Sequence, residues 1–139
     1  HYVDSGGGKR RPAMLHRAIF GSVERFLGIL LEHHQGALPA WLSPDQIRVL
    51  PVGQDSQAYA SEVQARMEEA GLRVSVDARG ETLSRRILDS HHDSVPFVLL
   101  VGAKEQAARS VQIRERSGAQ RQVSLEPAVA ALSQACRVP

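Results

Sequence analysis

The stretch VPFVLLVG, residues 95–102, decides the fold because it is almost wholly apolar and contains no charged side chain. A short apolar run of this kind is typical of a strand buried on both faces of a sheet. Two further strand candidates precede it, IRVLPV at 47–52 and LRVSVD at 72–77. Segments of helical character lie between the candidates, at 54–71 and 81–92. This alternation predicts an α/β fold with a mostly parallel central sheet and helices on both faces.

The remaining segments extend the pattern in both directions. SVQIRER at 110–116 is another strand candidate, and SLEPAVAALSQAC at 124–136 is a closing helix with Ser124 as its N-cap. Near the start, PAMLHRAI at 12–19 has the character of a strand. The following segment, GSVERFLGILLEHHQG at 21–36, carries the apolar stripe of an amphipathic helix.

A domain boundary is expected near Gly36, because the next residues, ALPAWLSPDQ, contain two prolines and the only tryptophan. The prediction is therefore one domain at 1–36 and another at 37–139. Three consecutive glycines at 6–8 precede no apolar strand and helix, and are interpreted as a flexible hairpin tip.

Composition excludes several classes of protein. No window approaches the roughly eighteen consecutive apolar residues of a membrane span, so no membrane partner is expected. The start, HYVDSGGGKRR, lacks the features of a signal peptide, and we interpret the chain as cut from a longer one. A single cysteine, Cys136, excludes an internal disulfide and fits a reducing compartment. Basic side chains outnumber acidic ones in 79–121, which allows an anionic partner such as nucleic acid, although a solvated charged surface is the commoner explanation of such arginines.

Three polar residues near the start suggest chemistry without defining it. Ser22 and Arg25 stand at the beginning of the first predicted helix, where amide donors and a guanidinium suit a phosphate. An intrahelical or tertiary salt bridge that involves Glu24 explains the same pattern. His16 lies on the predicted strand, and as no Cys, Asp or second His stands at ligand spacing, a core histidine fits better than a metal ligand. No nucleophile or nucleotide-binding motif is present.

The text of the sequence resembles that of a known family. RRPAMLHRAIFGSVERFLGILLEHHQGALPAWLSP at 10–44 is similar to the end of the catalytic domain of threonyl-tRNA synthetases, including the third motif of class II synthetases. The similarity continues through QIRVLPV, AGLRVSVDARGETLSRRI, VPFVLLVGAKE and VQIRERSG, so it covers essentially the whole chain.

The resemblance implies a fold and a function. It implies that 37–139 is a class IIa anticodon-binding domain with a mixed, mostly parallel five-stranded sheet, and that 1–36 is the strand and helix that end the catalytic domain. The chain is then expected to be a C-terminal fragment or a truncated relative of a cytoplasmic, class II threonine-tRNA ligase. That parent activates threonine with ATP and transfers it to tRNA(Thr). It dimerises through its catalytic domain, which this chain lacks.

The resemblance also assigns roles to single residues. Arg25 resembles the motif-3 arginine that contacts ATP, and Ser22 a serine near the bound threonyl group. His16 falls on a zinc ligand whose two companions, a Cys and a His, lie upstream in the parent. The parent is therefore expected to use ATP with Mg²⁺ and one Zn²⁺. The chain alone is expected to bind none of them and to be inactive.

In the second domain the resemblance assigns anticodon contacts to Glu105 and Arg114, and places Arg86 on a neighbouring helix facing the same surface. Gly80 and Glu81 occupy a loop that reads bases in the family. Arg79, Lys104 and Arg116 are added because they cluster with these residues in the sequence.

The chain departs from the family pattern at this loop. Where the family has R-N-E-K-I-G, the chain has RGETLS at 79–84, so Gly80 replaces a base-reading Asn. Ala103 replaces an aspartate. Loss of one amide contact removes about 1–3 kcal/mol of base discrimination. A divergent paralogue that acts as an RNA- or partner-binding module, or as a drug-resistant copy, is the alternative.

Overall fold

The computed structural model describes residues 1–139 and divides the chain into two compact units, His1–His33 and His34–Pro139. The division follows His33, whereas the sequence pattern places the boundary at Gly36. No helix combines the length and the apolar character needed to cross a membrane.

The first unit begins with a small hairpin. Strands β1 (Tyr2–Val3) and β2 (Lys9–Arg10) pair antiparallel. The turn between them is held by the Asp4 carboxylate, which accepts hydrogen bonds from the amides of Gly6 and Gly8 at 3.0 and 2.9 Å. The hairpin tip predicted for the three glycines is confirmed.

Helix α1 (Val23–His33) confirms the predicted helix, but the strand predicted over 12–19 is wrong. A strand requires a neighbour to pair its backbone amides and carbonyls, and no strand of the chain pairs with this segment. Helix α1 has no buried residue. Its apolar stripe, which includes Phe26 and Leu27, is exposed.

The second unit contains one sheet and most of the helices. Its elements are β3 (Ile47–Pro51), a 3₁₀ turn (Gln54–Ser56), α2 (Gln57–Glu69), β4 (Val74–Val76), α3 (Leu83–His92), β5 (Phe97–Val101), α4 (Ala103–Ala107), β6 (Ser110–Glu115), β7 (Gln120–Ser124) and α5 (Leu125–Ala135). The five strands lie in the order β4-β3-β5-β6-β7. Strand β3 runs parallel to β4 and β5, and β6 runs antiparallel to β5 and β7. The mixed α/β fold is confirmed, with the stretch at 95–102 supplying the central strand.

Side chains alternate between the two faces of this sheet. Ile47, Leu99 and Ile113, one from each of the three central strands, are fully buried against α2 and α5. The residues between them point to the other face, where Val98 of β5 lies opposite Arg114 of β6. Helix α3 lies on that second face, over β3 and β5. It leaves the β6 side of the face uncovered.

Candidate nucleic-acid interface

A groove of about 440 Å³ opens between α3 and β6, and we call it the α3–β6 groove. It is lined by Ser84, Ile87, Leu88 and His91 of α3, Val98 of β5, Arg114 of β6 and the turn at 115–118. Its apolar walls come from the exposed side of α3. The sequence predicts these apolar walls only weakly. The spacing of apolar residues in a short helix does not show which of its faces will be left exposed.

Arg114 is the cation of this groove that has no partner in the protein. It is partly exposed and forms neither a side-chain hydrogen bond nor an ion pair. Its neighbour Arg116, in contrast, donates to the carbonyls of Leu38 and Ser94 at 3.2 and 3.0 Å. A free guanidinium at an apolar groove offers a planar set of donors for a base edge or a phosphate.

A second depression, of about 190 Å³, lies where β3 and β4 end, and we call it the strand-end cavity. Pro51, Gly53, Gly80, Glu81 and Arg86 are among its lining residues. Ligands in open α/β sheets bind at the carboxyl ends of strands. The position of this cavity therefore fits the general expectation for the fold.

Asp77 and Arg79 shape the loop that forms one wall of the cavity. The Asp77 carboxylate accepts hydrogen bonds from the Arg79 amide at 3.1 Å and from its guanidinium at 2.9 and 2.8 Å. Arg79 also pairs with Asp89 of α3 at 2.9 Å. Hydrogen bonds from the Arg79 guanidinium hold the pKa of the Asp77 carboxyl below its ordinary value. Arg79 is thus engaged within the protein, unlike Arg114.

The expectation that Arg86 faces the surface is wrong. Its side chain is buried, with 5% of its surface exposed. It donates to the carbonyls of Asp77 and Pro51 at 2.7 and 2.9 Å. Arg86 therefore points from α3 toward the sheet. This direction depends on how α3 packs, and the sequence alone does not reveal it.

Glu105 lies in the first turn of the short helix α4, just after the carboxyl end of β5. One of its carboxylate oxygens accepts the amide of Gly102 at 3.0 Å, which caps the helix. A Cβ atom at Gly102 would lie 3.0 Å from this oxygen, so glycine leaves room for the cap. Glu105 is partly exposed and lines neither depression.

The structure therefore places the predicted residues of this domain in separate groups. Gly80, Glu81 and Arg86 line the strand-end cavity, and Arg114 lines the α3–β6 groove. Helix α3 contributes to both depressions. Lys104 is exposed at the start of α4.

In the first unit, Ser22 caps α1. Its hydroxyl accepts the Arg25 amide at 3.3 Å and donates to the Glu24 carboxylate at 2.8 Å. Glu24 is therefore paired with Ser22, and the Arg25 guanidinium, which is exposed, forms no ion pair with it. His16 is exposed, so the expectation of a core histidine is wrong, and no group of three or more His, Cys, Asp or Glu residues could hold a metal ion. The residues of this chain do not by themselves fit a zinc site.

A family model described as the anticodon binding domain matches residues 46–135. The chain belongs to this family. The chain matches a solved structure of the RNA-binding domain of threonyl-tRNA synthetase from Cryptosporidium parvum Iowa II with a TM-score of 0.78 and 34% identity. That match covers 86% of this chain and 30% of the other. A prolyl-tRNA synthetase of the same organism, at 19% identity and a TM-score of 0.67, shares the fold.

Curated relatives extend the similarity beyond the anticodon-binding domain. The threonine-tRNA ligase catalytic subunit of Sulfolobus acidocaldarius is 44% identical over 137 residues, which are 98% of this chain and 25% of that protein. The threonine-tRNA ligase of Desulfatibacillum aliphaticivorans is 47% identical over 117 residues, 84% of this chain and 18% of that protein. The resemblance to threonyl-tRNA synthetases is confirmed. The chain spans a quarter or less of the length of these relatives.

Proposed function

We propose that the chain is part of a class II threonine-tRNA ligase and that its anticodon-binding domain binds the anticodon of tRNA(Thr). The similarity to threonine-tRNA ligases over nearly the whole chain supports the first half of this proposal. The observation that carries the second half is Arg114, a partly exposed arginine without a protein partner at the α3–β6 groove. The same similarity does not favour a divergent paralogue.

The geometry suits single-stranded RNA. Anticodon bases are unstacked in a loop, so their edges can reach side-chain donors and acceptors. Arg114 supplies donors to acceptor atoms of a base, and the partly exposed Glu105 supplies an acceptor for base amino groups. Arg85 is exposed at the start of α3 and pairs with Asp89 at 3.1 Å, and its guanidinium lies where it can also approach the backbone phosphates.

The activity of the whole ligase is part of the same proposal. The parent couples threonine to tRNA(Thr) at the cost of ATP with Mg²⁺, acts as a dimer and works in the cytoplasm. Arg25 is proposed to contact ATP phosphates and Ser22 to lie near the threonyl group. His16 would be one of three zinc ligands, the others coming from upstream residues, and a bound zinc would hold the substrate's amino and hydroxyl groups.

Fluorescence anisotropy tests the anticodon proposal. The full chain is titrated into a labelled tRNA(Thr) anticodon stem-loop and into the same loop with its second and third anticodon bases exchanged, over a series of salt concentrations. We expect at least about tenfold discrimination between the loops, in line with one good base contact. Arg114→Ala should abolish most of it.

A matched control variant removes the same charge elsewhere. Arg66 of α2 is exposed, and it pairs with Glu69 and Glu126 on the face of the sheet that α2 and α5 cover, away from the groove. Arg66→Ala should leave the discrimination unchanged. Equal binding of both loops by the wild-type chain, with a steep loss in salt, would reduce the interaction to phosphate attraction and overturn the proposed anticodon recognition.

Gly80 provides a gain-of-function arm. A Cβ atom added there meets no atom within 4 Å, and its φ is not in the left-handed region, so an asparagine fits without strain. Gly80→Asn should therefore raise the discrimination, by up to about 1–3 kcal/mol. If Gly80→Asn discriminates between the loops no better than the wild-type chain, the 78–81 loop does not belong to the proposed base-reading surface.

A further inference from the structure

Arg86 joins three elements with one side chain. It stands on α3, and its two terminal nitrogens donate to the carbonyl of Pro51, where β3 ends, and to that of Asp77, just after β4. The donor–acceptor distances, 2.9 and 2.7 Å, are those of strong hydrogen bonds. A helix and the carboxyl ends of two neighbouring strands are thereby held at a fixed separation.

Packing alone does not account for an arginine at this position. No carboxylate is hydrogen-bonded to Arg86, although its charge helps to lower the pKa of the nearby Asp77 carboxyl, and its Nε atom is buried without a hydrogen-bond partner. Burial of a cation without a paired anion is unfavourable, and an apolar side chain of similar volume fills such a position with a smaller penalty. What the arginine supplies and an apolar residue cannot is the pair of bonds to the two carbonyls.

The bond to Asp77 places the wall of the strand-end cavity. The Asp77 carboxylate holds the amide and the guanidinium of Arg79, and the next residues, Gly80 and Glu81, line the cavity. The loop therefore takes its position from Asp77, whose own carbonyl is held by Arg86.

We propose that Arg86 is a positioning residue for RNA binding: without touching RNA, it fixes the 78–81 loop against the end of β3, and so pre-forms the base-reading wall. The inference rests on the proposed function of the domain. The resemblance placed Arg86 on the surface that faces the anticodon. Instead, we infer that Arg86 acts indirectly, through its hydrogen bonds to the backbone carbonyls of Pro51 and Asp77.

Two variants separate the effect of the Arg86 charge from that of its two hydrogen bonds to backbone carbonyls. Arg86→Met removes both while keeping similar volume, whereas Arg86→Lys keeps the charge but has one nitrogen for two carbonyls. Arg73→Met is the matched control. Arg73 likewise donates to backbone carbonyls, those of Trp41 and Ser43 at 2.8 and 2.7 Å, but it lies before β4, at the amino end of that strand.

Each variant is measured in three ways, all on the full chain. Circular dichroism and thermal unfolding report the fold. Anisotropy with the two anticodon stem-loops reports discrimination. Hydrogen exchange of the Arg79 amide, which is bonded to Asp77, reports the position of the loop.

For Arg86→Met we expect a folded domain, exchange at Arg79 at least about tenfold faster while the α2 amides are unchanged, and loss of most of the discrimination. Arg86→Lys should show the same changes to a smaller degree. Arg73→Met should lower the unfolding temperature without altering the discrimination. If Arg86→Met does not fold, Arg86→Lys decides by the same readouts.

Wild-type discrimination and wild-type exchange at Arg79 in the folded Arg86 variants would overturn the inference. Failure of the proposed function looks different: the wild-type chain itself would not distinguish the two loops. In that case the exchange of the Arg79 amide still decides whether Arg86 holds the loop.

Discussion

The arginines of the anticodon-binding domain differ in what their guanidinium groups contact. Arg73, Arg86 and Arg116 donate to backbone carbonyls and hold segments of the chain together. Arg79 is engaged by carboxylates. Arg114 alone among these five forms no such bond, and it lies on the face of the sheet that α3 leaves uncovered. Among these five, the arginine proposed to contact RNA is therefore the one whose guanidinium forms no hydrogen bond or ion pair within the protein.

Asp77 should give the domain a pH-dependent stability. The Arg79 guanidinium lowers the pKa of Asp77 below its ordinary value of 3.8, so the ion pair stabilises the folded state fully above that value. The stabilisation is lost as the pH falls through the lower pKa of the folded state. Asp77→Asn should reduce the free energy of unfolding by about 1–3 kcal/mol at pH 7.

Urea unfolding of the wild-type chain and of Asp77→Asn, at neutral pH and at several acidic pH values, checks this prediction. The difference between the two free energies should shrink as the wild-type carboxylate becomes protonated. A difference that stays constant through the acidic range would show that the loop is not stabilised by the charge of Asp77.

Single residues show where sequence reasoning stops. The resemblance assigns anticodon contacts to Glu105 and Arg114, and both are partly exposed. Arg86 was assigned by the same reasoning and is buried. Whether an arginine on a short helix points to solvent or to the sheet depends on how the helix is rotated, and sequence spacing does not determine that rotation.

Among the elements, the apolar strands β3 and β5 were predicted well because they are buried and leave a strong pattern. Strand β7, QRQVS, was missed because it lies at the edge of the sheet and most of its residues are exposed. The predicted strand at 12–19 failed for the opposite reason. Its apolar residues resemble a strand, yet no partner strand pairs with it within the chain.

The N-caps of α3 and α5 give a matched prediction at this scale. The Thr82 hydroxyl accepts the Arg85 amide at 3.3 Å, whereas the Ser124 side chain makes no cap hydrogen bond. Thr82→Ala should lower the free energy of unfolding by about 0.5–1 kcal/mol, toward the smaller end for a cap because the bond is long.

Ser124→Ala is the control for that variant and should change the free energy by only a few tenths of a kcal/mol. Chemical unfolding of the two variants under identical conditions makes the comparison. Losses of equal size would mean that the Thr82 hydroxyl does not act as a cap in solution.

For the whole molecule, the two units differ in how much they bury. All members of the hydrophobic core cluster lie in the second unit, between Ala40 and Cys136. Helix α1 of the first unit buries none of its residues, and a helix of 11 residues is marginal on its own. The core of the anticodon-binding domain is thus complete without residues 1–33.

We therefore expect residues 34–139 to fold by themselves, with a thermal midpoint within about 5 °C of that of the full chain. A peptide of residues 1–33 should show little helix by circular dichroism. Failure of 34–139 to fold would show that the second unit depends on the first, despite its separate core.

The most direct test of anticodon binding is a nuclear magnetic resonance titration of the isotope-labelled full chain with the unlabelled tRNA(Thr) anticodon stem-loop. We expect chemical-shift changes for the amides of 79–85, Glu105 and 112–116. We expect none for the outer surfaces of α2 and α5, which cover the opposite face of the sheet from α3. Changes concentrated on α2 and α5, or no change at concentrations where the loop binds, would contradict the claim that the α3 side of the domain reads the anticodon.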